Sequence, residues 1–241
     1  GQGASAVAED LQRTAVGRLT LERRVAERPE PDVLGDDRVG SAARVVIDAQ
    51  AVFPVSIDAT RAGDLFVGNT QTGGIYRASH GANIATLWID PRVSGMKGVL
   101  GIHVDDRHRI LYACAQVLGA AAGGDAPPPA LRSFDLATGA AKGAYLIPDG
   151  AKSLCNEIAT APDGTAYVAD TNGGRVLRLQ PGAAALEEWA KAPGLAGADG
   201  LVVAGDGNVY INTVTTGKFF RITVGQDGSA AAVIELEVSS P

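Results

Sequence analysis

No apolar run in the 241 residues approaches the roughly 20 that a membrane-spanning helix needs. Cysteine is scarce. Cys114 and Cys155 form no CxxC pair, which excludes a zinc ribbon or thioredoxin-type site, and two are too few for a disulfide-stapled fold. They are expected to be buried free thiols acting as small hydrophobes, with a disulfide as the alternative. A basic excess is also missing: 21 Lys and Arg face 27 Asp and Glu, for a formal net charge of −6. Nucleic acid and anionic membrane surfaces select clustered Lys and Arg, so neither is expected as a partner. Helical periodicity sustained over ten residues is absent, and 31 glycines with 12 prolines argue against a helical bundle. No GxSxG elbow or P-loop occurs, so neither an α/β-hydrolase triad nor a nucleotide cradle has support.

What is present divides at about residue 40. Residues 1–40 are charge-dense, with Leu11, Val16, Leu19, Leu21 and Val25 at neither helical nor strand spacing, and Pro29 and Pro31 break any helix. They are expected to form a poorly structured or partly helical arm ahead of one domain over 41–241. The chain begins at Gly1, so removal of an upstream segment is open, and so is the compartment, cytoplasmic or exported.

From residue 42 onward, short β-branched runs such as ARVVIDA, DLFVGN, RILYACA, TAYVAD, RVLRL and NVYIN alternate with Gly, Asp and Asn turns. Pro162-Asp163-Gly164 and Gly205-Asp206-Gly207 offer the positive φ of tight hairpins. This is the texture of an all-β protein. The runs also repeat. Aligning Ile57, Ile102, Ile158 and Leu201 gives intervals of 45, 56 and 43 residues, close to the length of a four-stranded propeller blade. The long interval holds a Gly- and Pro-rich insertion at 119–130. A weaker fourth strand follows each repeat, in ATLWI, GAYLI, LEEWA and AVIEL. Four blades are visible, either as a closed ring or as part of a larger propeller. The strand around Val45 to Ala51 is expected to pair with the last blade and hide its open edge.

Propeller inner strands line a central channel, so equivalent positions form rings. Two residues before the aligned apolar position the ring reads Val55, Leu100, Asn156 and Asp199, with Glu157 adjacent. An amide oxygen and a carboxylate there are hard ligands of the kind calcium takes. A second ring at the ends of the second strands reads Asn69, Gln116, Asp170 and Asn212, expected to wall a pocket or to cap turns. His103 lies on an inner strand, where packing or hydrogen bonding is its expected use.

The runs FPVSI at 53–57, GVLGIHVDD at 98–106, CNEIATAPDGTAYVADT at 155–171 and ADGLVVAGDGNVYIN at 198–212 resemble the senescence-marker-protein (regucalcin)/gluconolactonase/LRE-like β-propeller family over about residues 42–237. That resemblance implies six blades and a divalent cation, often calcium, that polarises a lactone or ester for attack by water. It implies Asn156 and Asp199 as metal ligands, with Asp199 and Glu157 as candidate catalytic residues; Asn69, Gln116, Asp170 and Asn212 of the second ring, with His103 on its inner strand, are the expected substrate-pocket residues. Val55 stands where the family has a glutamate ligand, and the blade bearing its Asp ligand has no counterpart here. The expected function is a metal-dependent hydrolase of lactones or related esters acting on a small molecule. The alternative is a non-catalytic propeller binding module with a degenerate metal site. Self-association is expected if four blades leave the ring incomplete.

Overall fold

Most of the described hairpins turn on a short polar segment, and the turn residues do what their sequence promises. Gly164 and Gly207 hold φ of 91° and 80°, the left-handed region that glycine enters without a Cβ clash. The computed structural model describes residues 20–23, 43–49, 53–118 and 126–237. Strands β1 (Thr20–Arg23) and β2 (Ala43–Ile47) precede the first blade, which comprises β3 (Ile57–Ala59), β4 (Leu65–Gly68), β5 (Ile75–Ala78) and β6 (Ile84–Ile89). The second blade is β7 (Val99–Asp105), β8 (Ile110–Ala115), β9 (Ala130–Asp135) and β10 (Ala141–Leu146). The third is β11 (Cys155–Thr160), β12 (Ala166–Asp170), β13 (Arg175–Leu179) and β14 (Glu187–Lys191). The fourth is β15 (Ala198–Val203), β16 (Val209–Thr213), β17 (Phe219–Val224) and β18 (Ala230–Leu236). Within each blade the strands are antiparallel neighbours in chain order.

Four of the residues expected in an unstructured or helical arm therefore form β1, which pairs antiparallel with β2. The rest of that arm lies outside the described residues, as does 119–125 of the insertion. A second expectation is corrected. β2 does not join the last blade; it runs parallel to β6 and extends the outer edge of the first, with Val46 opposite Ile84. Among the described residues no strand closes the ring: inner strand β3 packs on β7, β7 on β11 and β11 on β15, with no comparable packing of β15 on β3.

Cohesion comes from faces packed between blades. Phe66, Ile75 and Met96 of the first blade meet Val99, Ile102, Leu111 and Phe134 of the second. Tyr112, Cys114 and Leu131 meet Cys155, Ile158, Val168 and Leu177 of the third. Tyr167, Val176 and Trp189 meet Leu201, Ile211, Phe220 and Ile222 of the fourth. A middle blade is buried on both faces, which is why its strands read as continuous apolar runs without alternation; every residue of β12 is buried.

Cys114 and Cys155 are not free thiols. They form a disulfide between β8 and β11, their Cα atoms 5.4 Å apart, across the seam between the second and third blades.

A charge cluster built on the buried pair Arg175 and Asp170 locks the end of the third blade. Arg175 donates from Nε to Asp170 Oδ2 at 2.8 Å, from Nη1 to Glu188 Oε2 at 3.0 Å and from Nη2 to Asp149 Oδ2 at 2.7 Å. Asp170 is fully buried and also accepts from the backbone N–H groups of Leu154 and Gly173. Removing one partner strands the other in a low-dielectric interior. Arg175→Met is therefore expected to cost about 3 kcal/mol of stability, read from its urea midpoint; an unchanged midpoint would show that the cluster adds nothing.

Candidate functional site

Three of the four inner strands carry the same irregularity. Val99 lies opposite Ala115 and Ile102 opposite Ala113, so three steps on β7 match two on β8. The same one-residue bulge falls between Cys155 and Ile158 on β11, and between Ala198 and Leu201 on β15. In the first blade the N–H of Thr70 reaches Phe53 O, as that of Thr171 reaches Leu154 O, which places Val55 and Ser56 in the same two positions. A bulge re-aims the side chains it carries. The bulge pairs are thus Val55-Ser56, Leu100-Gly101, Asn156-Glu157 and Asp199-Gly200, in agreement with the first ring read from the sequence. Gly101 permits the second and third blades to approach: a Cβ there would lie 1.9 Å from Asn156 O and 3.2 Å from Glu157 Cα.

A cleft of about 440 Å³ opens along these strands, lined by Ser56, Asp58, His103, Glu157, Tyr210 and Phe219 among others. Asp58 binds across the first seam, its Oδ2 accepting from the Val104 N–H at 2.7 Å and lying 3.3 Å from His103 Nδ1. His103 Nε2 lies 3.0 Å from Thr160 Oγ1. With Nδ1 facing a carboxylate, the proton belongs on Nδ1, and Nε2 accepts from the threonine hydroxyl. Both ring nitrogens are committed, so His103 lines the cleft as a fixed, hydrogen-bonded residue.

Glu157 is different. Among the described residues its Oε1 accepts only from the N–H of the next residue, Ile158, at 3.0 Å. Burial pushes its carboxyl above the ordinary value; nearby Asp58 and Asp199 push the same way, and His103 and the Ile158 N–H oppose them. Asn156, its neighbour, donates from Nδ2 to Asp199 Oδ1 and, at 3.0 Å, to Thr171 Oγ1. Asn156 and Asp199 do meet, as expected of two ligands, but the amide offers its N–H to the carboxylate. No group of three or more His, Cys, Asp or Glu side chains is gathered as a metal site among the described residues. Val55, where a glutamate ligand was looked for, is an exposed hydrocarbon. A cation preferring six or more oxygens is not fitted by this donor set.

The second ring is corrected. Val67, Ala113, Val168 and Ile211 sit opposite the four aligned inner residues. The equivalent strand ends are therefore Asn69, Ala115, Asp170 and Thr213. Asn69 is buried and its Oδ1 accepts from the N–H groups of Gln71 and Thr72; Asp170 is spent on Arg175 and its turn. Gln116 bridges strands, accepting from the Cys155 N–H at 3.0 Å and donating to Ser153 O at 3.4 Å. None of these three lines the cleft, whereas Asn212 does. Asp58, Thr160, Tyr210 and Phe219 were missed. Asp58 was within reach, since it follows Ile57 as His103 follows Ile102.

No protein-family model matches the sequence, and no curated protein matches it. Solved structures do resemble it. One is a catalytically inactive histidine-to-alanine form of virginiamycin B lyase from Staphylococcus aureus with quinupristin, at TM-score 0.62 and 13% identity, over 83% of this chain and 61% of that one. A streptogramin B lyase matches at TM-score 0.57 and 19% identity, over 77% of this chain and 54% of that one. An auxiliary nutrient binding protein from Bacteroides ovatus matches at TM-score 0.57 and 12% identity, over 76% and 42%. The fold is a β-propeller. These likenesses carry no assignment to the regucalcin and gluconolactonase group, and the chain spans little more than half the length of the two lyases. No helix among the described residues is long and apolar enough to cross a membrane.

Proposed function

We propose that the cleft hydrolyses a lactone or related ester of a small molecule by acid–base catalysis, with Glu157 as the group that moves the proton. The observation that carries this reading is a half-buried carboxyl with raised proton affinity, set on a bulge and open to the cleft on one oxygen. Such a carboxyl is tuned toward neutrality, where a general base works best. Its carboxylate takes a proton from water as the water oxygen bonds to the ester carbonyl carbon. The C–O bond to the leaving oxygen then breaks, and Glu157 returns the proton to that oxygen. The Asp58–His103–Thr160 chain holds the adjoining wall of the cleft rigid. Asn156 and Asp199, bonded to each other on neighbouring bulges, lie outside the cleft lining and hold the strands that carry Glu157 and Gly200 together. Because the donor set does not fit a resident cation, no step runs through one.

A second reading rests on a specific observation. Ile57, Val202 and Phe219 expose apolar surface around the same cleft, which suits retention of a ligand's apolar body without turnover. A neighbour of the same fold is described as a nutrient-binding protein.

A panel of lactones and aryl esters assayed in H₂¹⁸O separates these readings. Hydrolysis places one ¹⁸O in the released acid, and turnover is expected to survive EDTA. Ligand binding without product would establish the binding module. Product lacking ¹⁸O would point to elimination, the lyase type of chemistry. Activity lost to EDTA and restored by calcium would return a cation to the site.

A further inference from the structure

The channel edge of an inner strand carries N–H groups that no neighbouring strand pairs. In the fourth blade the N–H of Ala204 donates to Asn208 O, which makes these two a hydrogen-bonded pair. Such pairs alternate along an antiparallel ladder. Val202 with Tyr210 is therefore the next, and the N–H groups of Leu201 and Val203 point away from β16, toward the channel. The same count from the Ala161 N–H and Thr165 O turns the Ile158 N–H to the channel in the third blade.

An N–H in such a place needs another acceptor. Side chains of the preceding blade supply it to β7: the Ile102 N–H donates to Ser56 Oγ at 3.0 Å and the Val104 N–H to Asp58 Oδ2 at 2.7 Å. Gly101 stands in the second blade where Ser56 stands in the first, and it has no hydroxyl to offer Ile158. Glu157 folds back and takes that N–H itself, at 3.0 Å. The fourth blade is then left unserved. By position Glu157 is the Ser56 counterpart for Leu201, but its Oε1 is bonded to Ile158, and Gly200 has no side chain that could fold back in turn. Among the described residues the Leu201 N–H has no acceptor, and Leu201, Gly200 and Glu157 all line the cleft.

We infer that the Leu201 N–H is the donor that receives a ligand's carbonyl oxygen in this cleft. Its part in chemistry rests on the hydrolytic reading. As water adds to the carbonyl carbon and Glu157 takes the water's proton, negative charge gathers on the carbonyl oxygen and is held by this N–H. Glu157 is neutral once it holds that proton, so the oxyanion does not face a charged carboxylate there. The double bond re-forms as the C–O bond to the leaving oxygen breaks. A backbone donor is fixed by its strand, and is therefore aimed before the charge develops.

Titration of the ¹⁵N-labelled protein with δ-valerolactam, a carbonyl compound that resists hydrolysis, tests the seat without turnover. The Leu201 amide proton is expected to move downfield and to exchange more slowly with water. The Val203 amide, outside the cleft lining, should stay where it is. Replacing Leu201 by its α-hydroxy acid keeps the side chain and puts an ester oxygen in place of the N–H. Because no strand pairs that N–H, circular dichroism should be unchanged. On an accepted lactone this variant is expected to lose about a hundredfold in kcat/KM, and the matching change at Val203 to lose little. A substrate with sulfur for its carbonyl oxygen should slow the wild type strongly and the Leu201 variant much less, a coupling that a merely structural role would not produce. A Leu201 amide that stays still on titration, or equal slowing by sulfur in both proteins, overturns the inference. A shifted Leu201 amide in a protein that turns over no ester keeps the carbonyl seat and removes Glu157 as the base.

Discussion

Glu157→Gln is expected to lower turnover of an accepted lactone about a thousandfold, with little change in substrate binding. Glutamine keeps the volume and one oxygen for the Ile158 N–H, yet it can neither take nor return a proton. The pH dependence supplies an independent reading. Base catalysis needs the carboxylate, so wild-type activity should rise with pH through the elevated Glu157 value. Stability should move in the opposite sense. The folded state holds this proton more tightly than the unfolded chain, so the contribution is fullest below the ordinary value of 4.5 and is lost as pH rises through the raised one. Urea midpoints of wild type should therefore fall across that window relative to those of Glu157→Gln, whose side chain does not titrate. Near-wild-type turnover in the variant would remove Glu157 from the chemistry. A flat stability difference would show that its environment is ordinary.

Loss of the Cys114–Cys155 bond is the second large effect. The cross-link spans 41 residues of sequence, and closing a loop of that length in the unfolded chain accounts for about 4 kcal/mol in the chain-entropy description. Cys114→Ala/Cys155→Ala should therefore unfold at a markedly lower urea concentration than the oxidised wild type, and reductant should bring the wild type down to meet it. Coincident curves with and without reductant would refute this. The bond also reaches the site, since Cys155 immediately precedes the bulge that carries Asn156 and Glu157. Variants lacking it should lose activity before they lose secondary structure. Bonds of this kind persist in oxidising compartments, where this fold keeps its full stability.

The blades were legible because burial on two faces demands β-branched runs and turns demand Gly, Asp and Asn; all four aligned apolar residues fell at one register. The first ring followed because its anchor was a packed residue that each blade must supply. The second ring failed at Gln116 and Asn212, where a match of letter pattern stood one residue away from the backbone register. In a strand such a slip turns the side chain to the opposite face. That is why Asn212 reaches the cleft while Asn69 and Asp170 are sunk in turn caps. The disulfide, the Asp58–His103 contact and the parallel seating of β2 join segments that are distant in sequence. Each becomes visible only once the seams between blades are formed, because no local pattern encodes which faces will meet.

The repeated bulge makes each blade a socket with two interchangeable contacts at the channel. Packing is handled by the aligned apolar residue one position further along, except in the second blade, where Leu100 is itself core and Gly101 leaves room for Asn156 O. The chain already fills these sockets in four ways: hydrocarbon with hydroxyl, hydrocarbon with nothing, amide with acid, and acid with nothing. Outside the second blade, new chemistry can therefore be written into such a ring one blade at a time, by exchanging two letters and leaving the architecture as it stands.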